Sequence, residues 1–346
     1  MIDNPLNKKL KLAVPRFLNR QYIGQYTHWL SGKSTITSER DLQHRKEHKV
    51  ERSKRVYLSV PRDHNLSEAQ TILKHTMLDK LRANGLDPQE FHVSGLPLRS
   101  PYTFSAVRDV MNRCHGVLIM AFARWKDPTG AAGVALPTVW NHFEGAFAVA
   151  LRKEILVVTE TNVAADGITW SGGGQLILAA PPGSGPDWLD SSYAKPQIEA
   201  WIQAVKRVND VFLAYSSKAR ATANDVSKFL SSRGVSIRDW ELDFAPGSTI
   251  LEELVDASHN CLGAIMLLTK DDEFLGEENY AAPRDNVIFE MGMFMQAKGR
   301  DRVLVIREQG AKMPADIGGG IYISLKDRSD ITSIQTKLMD FIEKRI

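Results

Sequence analysis

Two stretches of the chain follow the same plan, and this repeat restricts the fold more than any other feature of the sequence. In each stretch, apolar segments alternate with segments whose apolar residues have helical spacing. Glu144 follows Cys114 by 30 residues, and Glu290 follows Cys261 by 29. Strands that alternate with helices favour a parallel sheet covered by helices on both faces. We therefore predict an α/β fold with two tandem flavodoxin-like, parallel-sheet domains.

The predicted elements occupy matching places in the two copies. In the first copy we expect strands at 56–60, 114–123 and 155–159, a short segment at 91–93, and helices near 69–81, 104–111 and 140–147. In the second copy we expect strands at 211–215, 235–240, 261–268 and 303–306, and helices near 226–230, from 249 and near 286–294.

These patterns predict the domain boundaries. A basic N-terminal arm takes residues 1–54, the first domain 55–165, a linker and helix 166–208, and the second domain 209–346. Residues 166–195 are rich in Gly, Pro and Ser, which is typical of a loop.

The N-terminal arm differs in charge from the rest of the chain. Residues 1–55 contain 13 Lys and Arg against 5 Asp and Glu, whereas the other 291 residues contain 31 against 36. Such an arm suits nucleic acid, a membrane surface or an acidic protein partner, and the alternative is a solvated leader. Apolar residues between Phe17 and Leu30 have helical spacing, which favours a docking helix that contributes to assembly or partner binding.

Two motifs in the arm do not support the chemistry that they suggest. Residues Gly32–Thr35 resemble the end of a phosphate-binding loop, but that loop needs a glycine where this chain has Thr27. His44 and His48 have the spacing of zinc ligands, but their neighbours are basic and no third ligand is near.

Composition excludes several classes of protein. The 43% hydrophobic and 25% charged residues are typical of a soluble globular protein. No run reaches the roughly 18 apolar residues of a membrane span, and no secretory leader is recognisable. Two cysteines are too few for a disulfide framework or a four-cysteine zinc site. We expect a cytoplasmic protein without metal or cofactor.

The repeated Phe-Glu pair is the strongest chemical signal. Ligands of such sheets bind beyond the carboxyl ends of the strands, at the point where the strand order reverses. A glutamate that enters a helix after a central strand is suited to that crevice. There it would stabilise positive charge at a ribose C1′ during cleavage of an N-glycosidic bond. The alternative is a helix-terminal charge or a partner of Arg284.

The second copy resembles a known family. Residues 267–273 read Leu-Leu-Thr-Lys-Asp-Asp-Glu, and residues 282–292 read Ala-Pro-Arg-Asp-Asn-Val-Ile-Phe-Glu-Met-Gly. This pattern resembles bacterial TIR-like domains, which are predicted nucleotide-binding proteins found in anti-phage effectors. The chain departs from the pattern at Lys270, where proline is common, and in the length of the loop. Over residues 209–345 the resemblance implies a TIR fold, cleavage of NAD⁺ at the nicotinamide bond, and activation by self-assembly.

The resemblance also implies a set of site residues. Glu290 matches the catalytic glutamate. The substrate-binding positions lie after the first strand, in a mobile loop, in an acidic pair and before the helix: Tyr215, Ser216 and Ser217; Trp240, Phe244, Gly247 and Ser248; Asp271 and Asp272; Arg284 and Asn286. Arg284 and Asn286 have the alternative role of shaping the turn, and Trp240 that of an ordinary sheet-edge aromatic.

The first copy resembles the same superfamily more loosely and is similar to nucleoside deoxyribosyltransferases. A candidate second site comprises Ser59, Arg62, Trp140, His142 and Glu144. The copy lacks the Asp-Asp-Glu and Arg-x-Asn-Val features, which favours a sensor of a nucleotide-like signal, or a degenerate enzyme that holds an oligomer together, over a second active site.

The sequence therefore leaves three hypotheses for the function. The leading one is a TIR-type NAD⁺ glycohydrolase or cyclase, with NAD⁺ as substrate, a nucleotide-like activator or a protein or nucleic-acid partner, and a homo-oligomeric assembly. The second is a non-catalytic sensor of nucleotide-derived messengers. The third is a nucleoside or nucleotide N-glycosidase that acts through the first domain.

Overall fold

Two five-stranded parallel sheets form the framework of the protein. The computed structural model describes residues 52–91, 103–128, 133–244, 249–274, 277–313 and 322–346. Residues 49–346 belong to one compact unit. Nearly all of the predicted basic arm, including Gly32–Thr35, His44 and His48, lies outside the described residues.

The first sheet has the strand order β2-β1-β3-β6-β7, and all neighbouring strands are parallel. These strands are β1 (Lys54–Ser59), β2 (Leu86–Glu90), β3 (Gly116–Ala121), β6 (Glu154–Glu160) and β7 (Leu176–Ala180). Between β3 and β6, β4 (Trp125–Lys126) and β5 (Ala135–Leu136) form a short antiparallel pair. The central strand β3 is buried throughout, because helices cover both faces of the sheet.

Four helices are described in the first half: α1 (Glu68–Ala83), α2 (Phe104–Asn112), α3 (Val139–Ala150) and α4 (Ala194–Arg207). The first three begin at side-chain caps that the sequence provides, whereas the residue before α4 makes no such hydrogen bond. Ser67 and Gln70 form a capping box at the start of α1, and Thr138 and Asn141 form one at the start of α3. Gly85 follows α1 with a φ of 75°, a conformation that favours glycine.

The second sheet repeats this arrangement with the order β14-β13-β10-β8-β9, again entirely parallel. Its strands are β8 (Asn209–Ala214), β9 (Ile237–Asp239), β10 (Cys261–Leu268), β13 (Val303–Glu308) and β14 (Ile323–Leu325). An antiparallel hairpin of β11 (Asp272–Phe274) and β12 (Glu277–Ala282) follows β10. The helices are α5 (Arg220–Ser232), α6 (Trp240–Asp243), α7 (Ile250–Asn260), α8 (Asp285–Lys298) and α9 (Gln335–Arg345).

Both sheets have the flavodoxin-like strand order, and this confirms the predicted fold class. The repeat extends to the register of the strands. Gly116 pairs with Val56, and Gly263 pairs with Val211 at the equivalent place. The two cysteines precede these glycines by two residues each, are buried, and form no disulfide.

The structure adds two short hairpins, the strand β14 and the helix α9, which the sequence did not predict, and it differs from the prediction at three further places. Residues 166–208, predicted as a linker and helix, also contain β7, which pairs with β6 as the fifth strand of the first sheet. The edge strand β2 lies at Leu86–Glu90, before the short segment predicted at 91–93, most of which lies outside the described residues. Trp240 ends no strand, because it begins the short helix α6. Each of these segments is short and lies at a sheet edge, where apolar patterning is weakest.

A buried polar cluster joins the two halves. His115, before β3, donates from Nε2 to Asp210 Oδ1 of β8 at 2.9 Å. Lys54 of β1 donates to the Val208 carbonyl at 2.8 Å, and its ammonium lies 3.7 Å from Asp210. Burial lowers the pKa of His115 to about 4, so the imidazole is neutral and donates as a neutral ring.

Replacement of Gly263 by alanine should destabilise the protein by about 1–3 kcal/mol through overpacking. A Cβ there would lie 2.5 Å from the Arg302 carbonyl oxygen, which belongs to the backbone and cannot rotate away. Gly292→Ala in α8 is the matched control, because a Cβ there meets no atom within 4 Å. The control should be neutral or gain up to about 1 kcal/mol from helix propensity. Urea unfolding measures both, and equal stability of the two variants would contradict the prediction.

Candidate active site

Three of the predicted site residues of the second half follow the carboxyl ends of parallel strands. Ser216 follows β8, Trp240 follows β9, and Asp271 follows β10. Because β8 and β10 are neighbours whose helix connections go to opposite faces of the sheet, a crevice is expected between their ends.

Glu290 lies on the side of α8 that faces the sheet. The buried residues of this helix are Val287, Glu290, Met291 and Phe294, which recur at helical spacing. Glu290 is only 8% exposed, and its Oε2 atom has no hydrogen-bond partner among the described residues. Burial raises the pKa of the Glu290 carboxyl to about 7. The carboxylate is therefore close to half-ionised at neutral pH and has an oxygen available for a ligand.

Two further polar side-chain atoms next to the strand ends are buried without a partner in the described part of the chain. They are Ser216 Oγ and Trp240 Nε1. The Trp240 ring packs against Tyr215, with 5.8 Å between the ring centroids. Buried polar atoms are almost always hydrogen-bonded in folded proteins, so these two atoms are suited to a polar ligand.

The Tyr215 side chain connects the end of β8 to β9 and α6. Its hydroxyl donates to Asp239 Oδ1 at 2.8 Å and lies 3.3 Å from Glu241 Oε2. Burial and these two carboxylates raise the pKa of Tyr215, so the phenol stays neutral. The hydroxyl is already used within the protein, and the residue fixes the position of β9 and α6.

The predicted mobile loop is described only at its start. The Phe244 ring stacks on Phe212 with 6.2 Å between centroids, and the Arg238 guanidinium lies 5.8 Å from the Phe244 centroid. Gly247 and Ser248 lie outside the described residues. Ser217 is exposed and begins a short 3-10 helix.

The acidic pair and the residues before α8 form a turn. Asp271 is buried and accepts from Thr269 Oγ1 at 2.9 Å and from the Arg284 backbone N–H at 3.3 Å. Asp272 pairs with the Arg284 guanidinium at 3.4 Å. Asn286 is exposed in the first turn of α8. These contacts position the start of the helix that carries Glu290.

The first half has a different arrangement around its glutamate. Glu144 of α3 is buried, and its Oε1 accepts a 2.7 Å hydrogen bond from the Tyr57 hydroxyl. Asn141 donates to Ser59 Oγ at 3.0 Å and to the Ser59 carbonyl at 3.1 Å. Tyr57 and Asn141 were not predicted as site residues, although Tyr57 lies two residues before Ser59 and Asn141 lies between Trp140 and His142.

A cavity of about 750 Å³ opens at the carboxyl end of β1. It brings together four of the five candidate residues of the first half, namely Ser59, Arg62, Trp140 and Glu144. His142 lies elsewhere, because its Nδ1 accepts from the Ile168 backbone N–H at 3.4 Å. The volume is in the range of small-molecule sites, and Trp140 supplies a half-exposed aromatic face.

Strand register explains why the two glutamates differ. Since Val56 and Val211 are equivalent, the next residues, Tyr57 and Phe212, are equivalent as well. Tyr57 provides a hydroxyl for Glu144, whereas Phe212 has none and stacks on Phe294 at 4.8 Å. Because no such hydroxyl of the described residues donates to Glu290, burial alone sets its pKa and raises it.

The described residues contain no group of three or more His, Cys, Asp or Glu side chains suited to a metal ion. Within the same residues, no helix is long and apolar enough to cross a membrane.

Comparison with known proteins finds similarity in the second half of the chain. Residues 210–327 match the family model described as CAP12/Pycsar effector protein, TIR domain. CD-NTase-associated protein 12 from Sphingobacterium faecium is 30% identical over 144 residues, which cover 38% of this chain and 44% of that protein. The CD-NTase-associated protein 12 from Flavobacterium daejeonense is 46% identical over 56 residues, which cover 16% of this chain and 18% of that protein.

A third relative is the Pycsar effector protein PaPycTIR from Pseudomonas aeruginosa, which is 31% identical over 113 residues, or 32% of this chain and 37% of that protein. The chain spans less than half the length of each of these three relatives. The matched region contains the second parallel sheet and α8. Residues 210–327 of this chain are therefore similar to the TIR domain of CAP12/Pycsar effector proteins.

Proposed function

We propose that the second half cleaves NAD⁺ at the bond between nicotinamide and ribose, as a glycohydrolase or a cyclase. The observation that carries this proposal is the state of Glu290, which is buried on the sheet-facing side of α8 with one carboxylate oxygen unpartnered in the described structure. A carboxylate in such surroundings interacts strongly with a cationic centre, because little water screens it.

The chemistry requires a negative charge near the ribose. The C1′–N bond breaks with both electrons going to nicotinamide, which leaves a positive oxocarbenium-like ribose. Ionised Glu290 would stabilise this charge. The cationic substrate would in turn lower the pKa of Glu290 from about 7 and favour the ionised form. Water then completes hydrolysis and releases a proton, whereas attack by an adenine nitrogen gives a cyclic product.

Ser216 and Trp240 would hold the substrate in place. The Ser216 hydroxyl is suited to a ribose hydroxyl or the nicotinamide amide, and the Trp240 indole N–H to an acceptor oxygen. The loop that begins at Phe244 would exclude water from the reacting bond.

The alternative of an N-glycosidase in the first half is less well supported. Glu144 already accepts a hydrogen bond from Tyr57, which reduces the charge that it can offer to a ribose. The cavity of about 750 Å³ is better suited to binding, so the first half is a candidate sensor of a nucleotide-like activator. A chain that binds such a ligand and releases neither nicotinamide nor a free base would be the non-catalytic sensor.

We place this activity in anti-phage defence. The support is the family of the TIR domain and the effector named among its relatives. By the same resemblance, the protein would act in the cytoplasm, self-assemble, and respond to a nucleotide, protein or nucleic-acid signal.

Glu290→Gln should lower nicotinamide release by about 100-fold or more, because glutamine keeps the shape of the side chain and removes its charge. Glu144→Gln is the matched control and should keep most of the activity. Chromatography of NAD⁺ digests measures both, under conditions where the wild-type protein turns over NAD⁺. Wild-type turnover by a folded Glu290→Gln protein would refute the assignment, and loss in Glu144→Gln alone would move the site to the first half.

The pH dependence of turnover provides a second test. If ionised Glu290 is required, kcat/KM should rise with pH and level off above a midpoint near the pKa of about 7. The residual activity of Glu290→Gln should lack this rise. A wild-type profile that falls as pH increases through the same range would show that the protonated form is the active one.

The free energy of unfolding, measured without substrate, tests whether the Glu290 carboxyl is buried. Its folded pKa of about 7 exceeds the ordinary value of 4.5, so its contribution to stability is present below pH 4.5 and lost as pH rises through 7. Glu290→Gln should thus be more stable than wild type by about 3 kcal/mol near pH 8 and by about 1 kcal/mol near pH 5.5.

Denaturant titrations at these two pH values measure the difference. Glu144→Gln should show no gain, because the substitution weakens the bond from Tyr57. A pH-independent effect of Glu290→Gln would contradict a desolvated carboxylate.

A further inference from the structure

A basic cavity of about 420 Å³ lies where three helices end. Helix α2 of the first half ends beside it, as do α8 and α9 of the second half. Glu290, at the site proposed for NAD⁺, lies eight residues before the end of α8 and does not line this cavity. The cavity is therefore separate from the Glu290 site and has walls from both halves of the compact unit.

Most of the charges around this cavity are positive. Three of its basic residues are near a carboxylate: Arg345 with Asp301 at 3.4 Å, Lys344 with Asp340 at 3.0 Å, and Arg108 with Asp109 at 3.8 Å. Four others have no ion pair among the described residues, namely Arg113, Lys298, Arg300 and Arg302. The lining thus contains seven basic residues against two carboxylates, and four of the seven lack an ion pair in the described part of the chain.

Two of these cations are fixed in place by the backbone. Arg302 is 8% exposed and donates to the Arg345 carbonyl at 2.9 Å and to the Asp109 carbonyl at 3.4 Å. Lys298 donates to the His259 carbonyl at 3.2 Å. Burial, followed by the charge of Arg113, lowers the pKa of Arg302 to about 10, and burial lowers that of Lys298 to about 8. Holding these like charges together therefore lowers the free energy of unfolding.

Helix dipoles do not account for all of this charge. Cations at helix C-termini are stabilising, and each terminus is equivalent to about half a negative charge. Three termini offset about one and a half charges, which is less than half of the unpaired set. A positive excess remains for a ligand to neutralise.

We propose that this cavity binds a small anion with two or more phosphate groups, such as inorganic pyrophosphate or a nucleoside diphosphate. Arginine side chains that converge from two halves match the oxygens of adjacent phosphates, because each guanidinium presents two parallel donors. The volume is within the roughly 300–1,000 Å³ of small-ligand sites. A ligand there would connect α2 to the C-terminal end of α8.

Calorimetric titration of the full-length protein at constant ionic strength tests this proposal with inorganic pyrophosphate, orthophosphate and ADP as probes. Pyrophosphate should bind at least about tenfold more tightly than orthophosphate, because it contacts more of the arginines. Arg113→Gln/Arg300→Gln should weaken pyrophosphate binding by about tenfold or more, and Arg113→Lys/Arg300→Lys should restore part of it. ADP that binds more tightly than pyrophosphate identifies a nucleotide ligand, and equal affinities identify recognition of the phosphates alone.

Lys195→Gln/Lys228→Gln is the matched control, since it removes the same charge from exposed residues outside the cavity. It should leave binding unchanged. Without ligand, Arg113→Gln/Arg300→Gln should raise the melting temperature by relieving repulsion, whereas cations that only cap helices would make it fall. Absence of saturable pyrophosphate binding to the wild-type protein, or equal weakening in both glutamine variants, would overturn the proposal.

Discussion

The buried carboxylate of Asp210 is the interaction on which the joined architecture depends. It accepts from His115 of the first half and from the backbone and hydroxyl of Ser236, with Lys54 nearby. Burial alone would raise the pKa of Asp210, but the bond from His115 and the charge of Lys54 hold it well below its usual range. A buried charge without such partners would be strongly destabilising. This cluster thus favours one fixed arrangement of the two sheets, and with it the geometry of every feature that both halves form.

Within that arrangement, the same fold produces two different glutamates. Both lie on the helix after the third parallel strand of their sheet, and both are buried. The difference comes from one atom at an equivalent strand position, since Tyr57 has a hydroxyl and Phe212 has none. A hydrogen bond satisfies Glu144, while desolvation alone governs Glu290. The two halves thus share an architecture but differ at one core position, which leaves one carboxylate hydrogen-bonded at the wall of a cavity and the other buried with an unpartnered oxygen in the described structure.

The sequence predicted those features that depend on local pattern. Strand and helix periodicity located both sheets, and the Phe-Glu repeat located both glutamates. It did not predict β7, because Leu176–Ala180 is a five-residue strand inside a Gly- and Pro-rich segment. Nor did it predict the bond between Tyr57 and Glu144, which lie 87 residues apart. The basic cavity was missed for the same reason, because its cations come from three helix ends that are distant in the chain. Contacts of this kind follow from tertiary packing, which composition and spacing do not encode.

Helix α8 links the two sites that we propose. Glu290 lies eight residues before Lys298, about 12 Å along the helix. At that distance and an effective dielectric constant near 20, one unit charge changes the energy of another by only about 1.4 kcal/mol, before screening by salt. Burial is the sole cause of the raised pKa of Glu290, so the cations already have little influence on it. An anion in the cavity would therefore act less through the charge of Glu290 than through the position of α8. A helix packed on β8, β10 and β13 transmits such a shift as a rigid body, because its packed side chains resist local deformation.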